Sequence, residues 1–379
     1  MRALVTDAHL RSVLAGIRGL GRAGHDVLAV GPRQSAAGLW SRYTKDRAVA
    51  PSGDREALTG RLGEMGERHG PLLAYPGQES SIDTLLAQPL PAQVSLPYPN
   101  LGALAVLRDK RRLAVLGGEA GLTSPKTLVE ATAGELRRWS PTRACVVKPA
   151  LPNGALATAL LARSEDELHA IVTDLPAEES LLVQERARGP LTAIALVLDA
   201  GGTAVARFQQ VARRTWPSDA GSSTVAESVS LDERLAGRAV HMLAQAGFAG
   251  LAHLQFVEVA GGKALIDVNP RFYGSLPLAI ACGVNLPAAW HAAVTGGPAS
   301  DGDAGYRTGV SFHWLEGEAL LAARSSPRPV PALARALMRP PSRPRAAAVW
   351  AADDPLASAV FGADLSAGIA SRRLRRRAI

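Results

Sequence analysis

The sequence predicts an α/β domain followed by α+β units. Short apolar strands alternate with helical stretches over the first third, hairpins with glycine-containing turns dominate afterwards, and the change falls near Asp109. At 379 residues the chain is too long for one compact core, so two or three domains are expected. Ala3–Asp7 reads as a strand, about Leu10–Ala23 as a helix that Gly24 is placed to end, Asp26–Val30 as a second strand and Pro71–Ala74 as a later one running into Tyr75-Pro76-Gly77. This βαβ rhythm implies a parallel sheet with helices on both faces. Gly16, Gly19, Gly21 and Gly24 lie inside or at the end of the helix, not in the turn before it. They therefore read as packing and capping glycines and not as a dinucleotide fingerprint.

From Asp109 the pattern changes. Asp109–Ala120 is helical, Gly121-Leu122-Thr123-Ser124-Pro125 a turn, and Cys145-Val146-Val147-Lys148-Pro149 a strand. Leu181–Glu185 is another strand. Leu191–Leu198 pairs with Ala204–Gln210 across Asp199-Ala200-Gly201-Gly202, and after a helix over Leu231–Ala246 a second hairpin joins Leu251–Val259 to Lys263–Val268. From about Ala299 the chain is loop-rich, with Pro327, Pro329, Pro331, Pro340, Pro341 and Pro344.

Composition narrows the class. Apolar residues make up 47% and charged residues 20%, an ordinary globular balance. Two cysteines, Cys145 and Cys282, make no disulfide scaffold, and Cys282 reads as a core thiol. The first residues reach Asp7 too early for a signal-peptide apolar region, and no apolar run is long enough to span a bilayer, so a soluble cytoplasmic protein is expected. The net charge of +8 is spread along the chain except for Arg372, Arg373, Arg375, Arg376 and Arg377, which read as a solvated tail with a polyanion-binding arm as the alternative. Basic residues are not interleaved with aromatics, so nucleic-acid binding is not expected. Walker-type loops, His-Glu-x-x-His, paired CxxC and Gly-x-Ser-x-Gly are all absent, and His241 and His253 read as satisfied structural histidines.

The chemistry concentrates in the last hairpin. In Leu265–Asn269 the two-residue period puts Asp267 and Asn269 on one face, where Gln255 of the partner strand can join them. Hard oxygen ligands so arranged suit Mg²⁺ completed by nucleotide phosphates, and Arg271 has the charge to neutralise a transferring phosphoryl group. An edge hairpin with polar residues facing water is the alternative reading. Lys148, at the end of a buried strand, is costly unless it meets an anion.

The run Asp267-Val268-Asn269-Pro270-Arg271-Phe272-Tyr273-Gly274-Ser275, continued by Leu278-Ala279-Ile280-Ala281-Cys282-Gly283-Val284-Asn285-Leu286-Pro287, resembles the segment that closes the active site of ATP-grasp enzymes. The resemblance extends in order over roughly residues 1–295. It implies an ATP-grasp fold with a Rossmann-like preATP-grasp domain over 1–108, a small lid over 109–190, a larger ATP-binding part over 191–298, and a loop-rich basic appendage over 299–379. It also implies ATP and Mg²⁺ as cofactors, with Gln255, Asp267 and Asn269 as the metal set. Gln255 stands where the family usually has glutamate, and Asp267 is one methylene shorter than the usual residue; Glu258 is a fallback ligand whose spacing points it to the other face.

By the same resemblance Lys110 and Lys148 contact phosphates, and Asn153 and Gly154 belong to the flap over them. Gln184, Glu185 and Ala187 would read the adenine edge; no acidic residue follows for the ribose. Arg213 and Arg214, before Gly221-Ser222-Ser223, form a candidate grip for the acceptor carboxylate or acyl phosphate. Together with Arg271 and Lys148 they are the candidate catalytic residues. The implied activity is carboxylate activation as an acyl phosphate for attack by an amine or similar nucleophile. Bicarbonate phosphorylation or carboxylation, and a non-catalytic nucleotide- or polyanion-binding role, are the alternatives. Expected partners are small-molecule carboxylate and amine substrates, without a membrane or nucleic acid, and with a homodimer left open.

Overall fold

The computed structural model describes residues 1–156, 158–216, 221–259, 262–297, 305–325 and 345–364. Its strands are β1 (Arg2–Val5), β2 (Val27–Gly31), β3 (Thr44–Val49), β4 (Leu72–Tyr75), β5 (Val94–Ser95), β6 (Thr127–Thr132), β7 (Cys145–Pro149), β8 (Leu160–Ala162), β9 (Ser180–Glu185), β10 (Leu191–Leu198), β11 (Ala204–Trp216), β12 (Ser222–Ser228), β13 (Gly250–Val259), β14 (Gly262–Asn269), β15 (Ser311–His313) and β16 (Arg345–Ala347). They form three sheets. The first is parallel in the order β3-β2-β1-β4-β5, the second is antiparallel in the order β6-β9-β7-β8, and the third runs β14-β13-β10-β11-β12-β15-β16.

The first sheet is the βαβ unit expected from the N-terminal rhythm. Its helix Arg11–Arg22 is buried from Ser12 to Leu20, and its glycines explain how. A Cβ at Gly16 would lie 2.5 Å from the Phe272 ring, one at Gly19 2.8 Å from Pro287, and one at Gly21 2.5 Å from Tyr43. Small residues thus let this helix approach the segment after β14 and the helix Leu286–Thr295 directly. A single apolar core runs from Val5 and Leu14 through Tyr75 to Leu254, Phe272 and Phe312, so the first and third sheets share one interior. The small sheet has a separate core around Val147, Leu168 and Val183.

Both expected hairpins form. Leu191–Leu198 pairs with β11, which continues to Trp216, beyond its expected end at Gln210. The helix Lys110–Glu119 starts at Asp109, whose carboxylate accepts from the backbone N–H groups of Arg111 and Arg112. Its Leu113 and Leu116 join the main core and not that of the small sheet.

The C-terminal part differs from the loop-rich appendage read from the sequence. β15 pairs with β12, β16 with β15, and both extend the large sheet. The buried Arg18 of the first helix donates through Nε to Asp354 Oδ2 at 2.9 Å and through Nη1 to the Val349 carbonyl at 2.5 Å, which anchors this segment. The proline-rich residues from Pro327 to Pro344 and the arginines from Arg372 to Arg377 lie outside the described residues. Among the described residues no single helix is long and apolar enough to cross a membrane.

Candidate functional site

The hairpin β13–β14 sets the floor of the site. Gln255 stands opposite Asp267 in register, with a bulge between Gln255 and Phe256, and Asp267 and Asn269 share a face. Asn269 Nδ2 donates to Asp267 Oδ2 at 3.2 Å, and Arg271 Nη2 donates to Asn269 Oδ1 at 2.9 Å. Glu79 of the N-terminal domain holds two guanidinium groups: Arg271 Nε donates to it at 2.8 Å and Arg108 Nε at 2.6 Å. Arg108 also pairs with Asp83 at 2.7 Å, and these carboxylates outweigh burial to raise its pKa. Neither Glu79 nor Arg108 was singled out in the sequence. Arg108 directly precedes Asp109-Lys110, which was the one available signal.

Two lysines face the hairpin. Lys148, at the end of β7, is only 6% exposed and donates from Nζ to the Ile266 carbonyl at 3.2 Å. Burial pushes its pKa down to about 8; Asp267 opposes the shift and Lys110 adds to it. Lys110 Nζ lies 3.7 Å from Asp267 Oδ1, and its backbone N–H donates to the Ala150 carbonyl, tying the helix start to the end of β7. One neutral carbonyl contributes roughly 1.5–3 kcal/mol to a charged donor, whereas burying an ammonium costs several kcal/mol. Asp267 opposes the burial without restoring the ordinary pKa, so the site favours a further negative charge near the amine.

At the other end, Gln184 is buried and donates from Nε2 to Thr127 Oγ1 at 3.2 Å. The Glu185 carboxylate pairs with Arg143 at 2.7 Å. Asn153 has a left-handed backbone with φ of 62° and its amide donates to Asp83; a Cβ at Gly154 would collide with Glu179. Arg213 pairs with Glu227 at 3.0 Å and Arg214 with Glu318 at 2.6 Å, so the two guanidiniums are held by separate carboxylates. The pairing of β11 with β12 is irregular here, with register shifts on either side of Arg214, and both arginines line the cleft.

All of the candidate residues, Arg271, Lys148, Arg213, Arg214, Lys110, Asn153, Gly154, Gln184, Glu185, Ala187, Gln255, Asp267 and Asn269, line one cleft of about 940 Å³ between the small and large sheets. That size suits a nucleotide-sized ligand. Glu258 is exposed and is not part of the lining.

A smaller chamber of about 140 Å³ adjoins the cleft, with Gln255, Asn269 and Arg271 on the shared wall. It was not foreseen. His253, read from the sequence as a satisfied structural histidine, has both ring nitrogens buried without a hydrogen-bond partner, and its ring stacks on Tyr273 at 3.9 Å between centroids. Its pKa is pushed down to about 3 by burial, with Arg271 adding to the shift. The Tyr273 hydroxyl, Gln210 Oε1 and Arg11 Nε are likewise buried without partners. Arg11 lies over the Trp314 ring at 3.7 Å, and burial lowers its pKa to about 10. His241 is exposed, and Cys282 is a buried thiol as expected.

The donors present fit a phosphate-bridged Mg²⁺: one part-exposed carboxylate, Asp267, flanked by the amides of Asn269 and Gln255. Mg²⁺ takes one or two protein carboxylates and completes its shell with phosphate and water. Among the described residues no group of three or more His, Cys, Asp or Glu side chains could hold a metal by itself.

Residues 177–318 match a family model described as ATP-grasp in the biosynthetic pathway with Ter operon. No curated protein matches the chain. Among solved structures, biotin carboxylase from Campylobacter jejuni is similar with a TM-score of 0.61 at 14% identity, over 82% of this chain and 74% of that one. An L-amino acid ligase from Bacillus licheniformis gives 0.59 at 15%, over 82% and 79%. N5-carboxyaminoimidazole synthetase from Staphylococcus aureus gives 0.59 at 12%, over 79% and 78%. At these identities the likeness is one of fold, and the chain has the ATP-grasp fold.

Proposed function

We propose, from the ATP-grasp fold and the charge of its cleft, that this chain is an ATP-dependent ligase. It would activate a carboxylate as an acyl phosphate for attack by an amine or similar nucleophile, releasing ADP and phosphate. The observation that carries this reading is the buried Lys148 amine, which shares a cleft with Lys110, Arg271 and the Asp267–Asn269 face. Two of the structural neighbours are named as an amino acid ligase and a synthetase, which supports the same reading.

In this mechanism the adenine lies against Gln184, the Glu185 carbonyl and the Ala187 N–H, and the triphosphate runs towards the hairpin. Lys148 and Lys110 neutralise phosphate oxygens, and the flap at Asn153-Gly154 closes over them. Asp267, with Asn269 and Gln255, would hold Mg²⁺, which supplies charge neutralisation to the triphosphate when bound. Arg271, held in place by Glu79 and Asn269, faces the phosphoryl group in transit. An oxygen of the substrate carboxylate attacks the γ-phosphorus in line as the bond to the bridging oxygen of ADP breaks. The nucleophile then attacks the acyl carbon and phosphate leaves. No side chain need act as a covalent nucleophile, because positioning and charge supply the rate.

The test begins with a screen of amino acids and small carboxylates, singly and in pairs, for ADP release. On the active combination, Lys148→Ala and Asp267→Asn should each abolish ADP formation with an unchanged circular dichroism spectrum. Full activity in either variant removes that residue from the mechanism. Biotin carboxylase among the neighbours motivates a second reading, bicarbonate phosphorylation. ADP release that depends on bicarbonate and needs no amine would select it.

A further inference from the structure

We propose that Asp7 is a positioning residue: its carboxylate fixes the turn that presents Glu79 to Arg271, and so gives the cleft its preference for a nucleotide with a γ-phosphate. The nucleotide rests on the ligase reading above, which the positioning role deepens.

The turn comes first. Asp7 follows β1 in the left-handed region, at φ 58°, where an aspartate costs more than a glycine would. Its side chain offsets that cost. Oδ2 accepts from the backbone N–H of Gly77 at 3.0 Å and from Thr6 Oγ1 at 2.6 Å. Oδ1 accepts from Gln78 Nε2 and from Ser81 Oγ, both at 2.9 Å. Gly77, Gln78 and Ser81 lie on either side of Glu79, the first residue of the helix Glu79–Leu86. Gln78, at the N-cap of that helix, makes no side-chain cap, and a carboxylate from another strand holds the helix start instead. A Cβ at Gly77 would lie 2.4 Å from Val13 and 2.8 Å from Asp7 Cβ, so the turn sits against Asp7 without slack.

The reach of the turn comes second. Glu79 Oε1 accepts from Arg271 Nε at 2.8 Å, and Oε2 from Arg108 Nε at 2.6 Å. Arg271 also donates from Nη2 to Asn269 Oδ1 at 2.9 Å and from Nη1 to the Phe272 carbonyl at 3.3 Å. Those two acceptors are sequence neighbours that move with Arg271, so Glu79 is what ties the guanidinium to the first domain. Glu79 and Arg271 line the cleft, whereas Asp7 lines neither the cleft nor the chamber beside it. Its effect on a ligand therefore runs through the turn. The sign of that effect separates positioning from plain charge. Removing a carboxylate would by Coulomb attraction alone strengthen phosphate binding, whereas releasing Arg271 weakens it.

Calorimetric titration of the full chain with Mg²⁺ and either ADP or AMP-PNP tests this without knowledge of the acid. The unaltered chain should bind AMP-PNP more tightly than ADP. Asp7→Gly, which keeps the left-handed backbone accessible, and Glu79→Gln should each reduce that preference roughly tenfold, the worth of one charged hydrogen bond. ADP affinity and the circular dichroism spectrum should not change. Asp7→Asn, which keeps the side-chain shape and one acceptor oxygen, should lose less. The double variant Asp7→Gly/Glu79→Gln should lose no more than Glu79→Gln alone, because Asp7 acts through Glu79. A preference that survives in both Asp7 variants, equal losses for the two nucleotides, tighter AMP-PNP binding, or additive losses in the double variant overturns the proposal. An unaltered chain that binds both nucleotides equally also overturns it and leaves the nucleotide site standing; one that binds neither sinks the ligase reading as well.

Discussion

Lys148 sits where an ammonium loses several kcal/mol of hydration and recovers one carbonyl contact. Its folded pKa of about 8 lies below the ordinary value near 10.5, so its charge opposes folding at neutral pH, and that opposition fades as pH rises from about 8 towards 10.5. Lys148→Met, which keeps the stem and deletes the charge, should raise stability at pH 7 by about 1 kcal/mol or more while weakening ATP binding roughly 10- to 100-fold. Urea unfolding and nucleotide titration read the two effects separately. A stability loss would mean that the amine is structural. Lys148 was legible in the sequence because a charge ending an apolar strand has few bland explanations. Arg11 and His253 were not. The first looks like any helix residue and the second like any core histidine, and only the fold shows that they line one chamber.

At the scale of elements, the β13–β14 hairpin was readable because the two-residue period sets which side chains share a face. That Asp267 and Asn269 share one therefore followed without tertiary information. The chamber draws on the first helix, β10, β11, β12, β13, the end of β14 and the segment after it, and no local pattern reports such a convergence. The pairing of β15 and β16 was hidden for a similar reason: three-residue strands carry no readable period. The helix Arg11–Arg22 offers a sharper test of packing. Gly16→Val would drive a side chain into the Phe272 ring from 2.5 Å and should cost about 1–3 kcal/mol. Because Phe272 follows Arg271 directly, ATP affinity should fall as well. A variant as stable as the parent would show that this interface yields easily.

Over the whole molecule, the shared core makes the first and third sheets one body, with the small sheet, which bears Lys148, a separate packing unit. Buried polar links cross the shared interior. Asp354→Ala would strand the buried Arg18 guanidinium and should destabilise the chain by about 3–5 kcal/mol in chemical denaturation. His291 in the third part meets the Tyr75 hydroxyl of the first at 2.8 Å, and burial followed by the charge of His25 pushes its pKa down to about 4. A histidine whose folded pKa lies below its unfolded value near 6.5 lets the unfolded chain bind more protons between those values. Stability should therefore fall as pH drops from about 6.5 to 4, and His291→Gln should flatten that limb in thermal melts taken across the range.

The measurement closest to the centre is a crystal structure of the chain with Mg²⁺ and a non-hydrolysable ATP analogue. The account places the adenine against Gln184–Ala187 and the terminal phosphate within hydrogen-bonding reach of Lys148 and Arg271, with Asp267 on the metal. A nucleotide bound elsewhere, or a cleft that stays empty at saturating analogue, would contradict it.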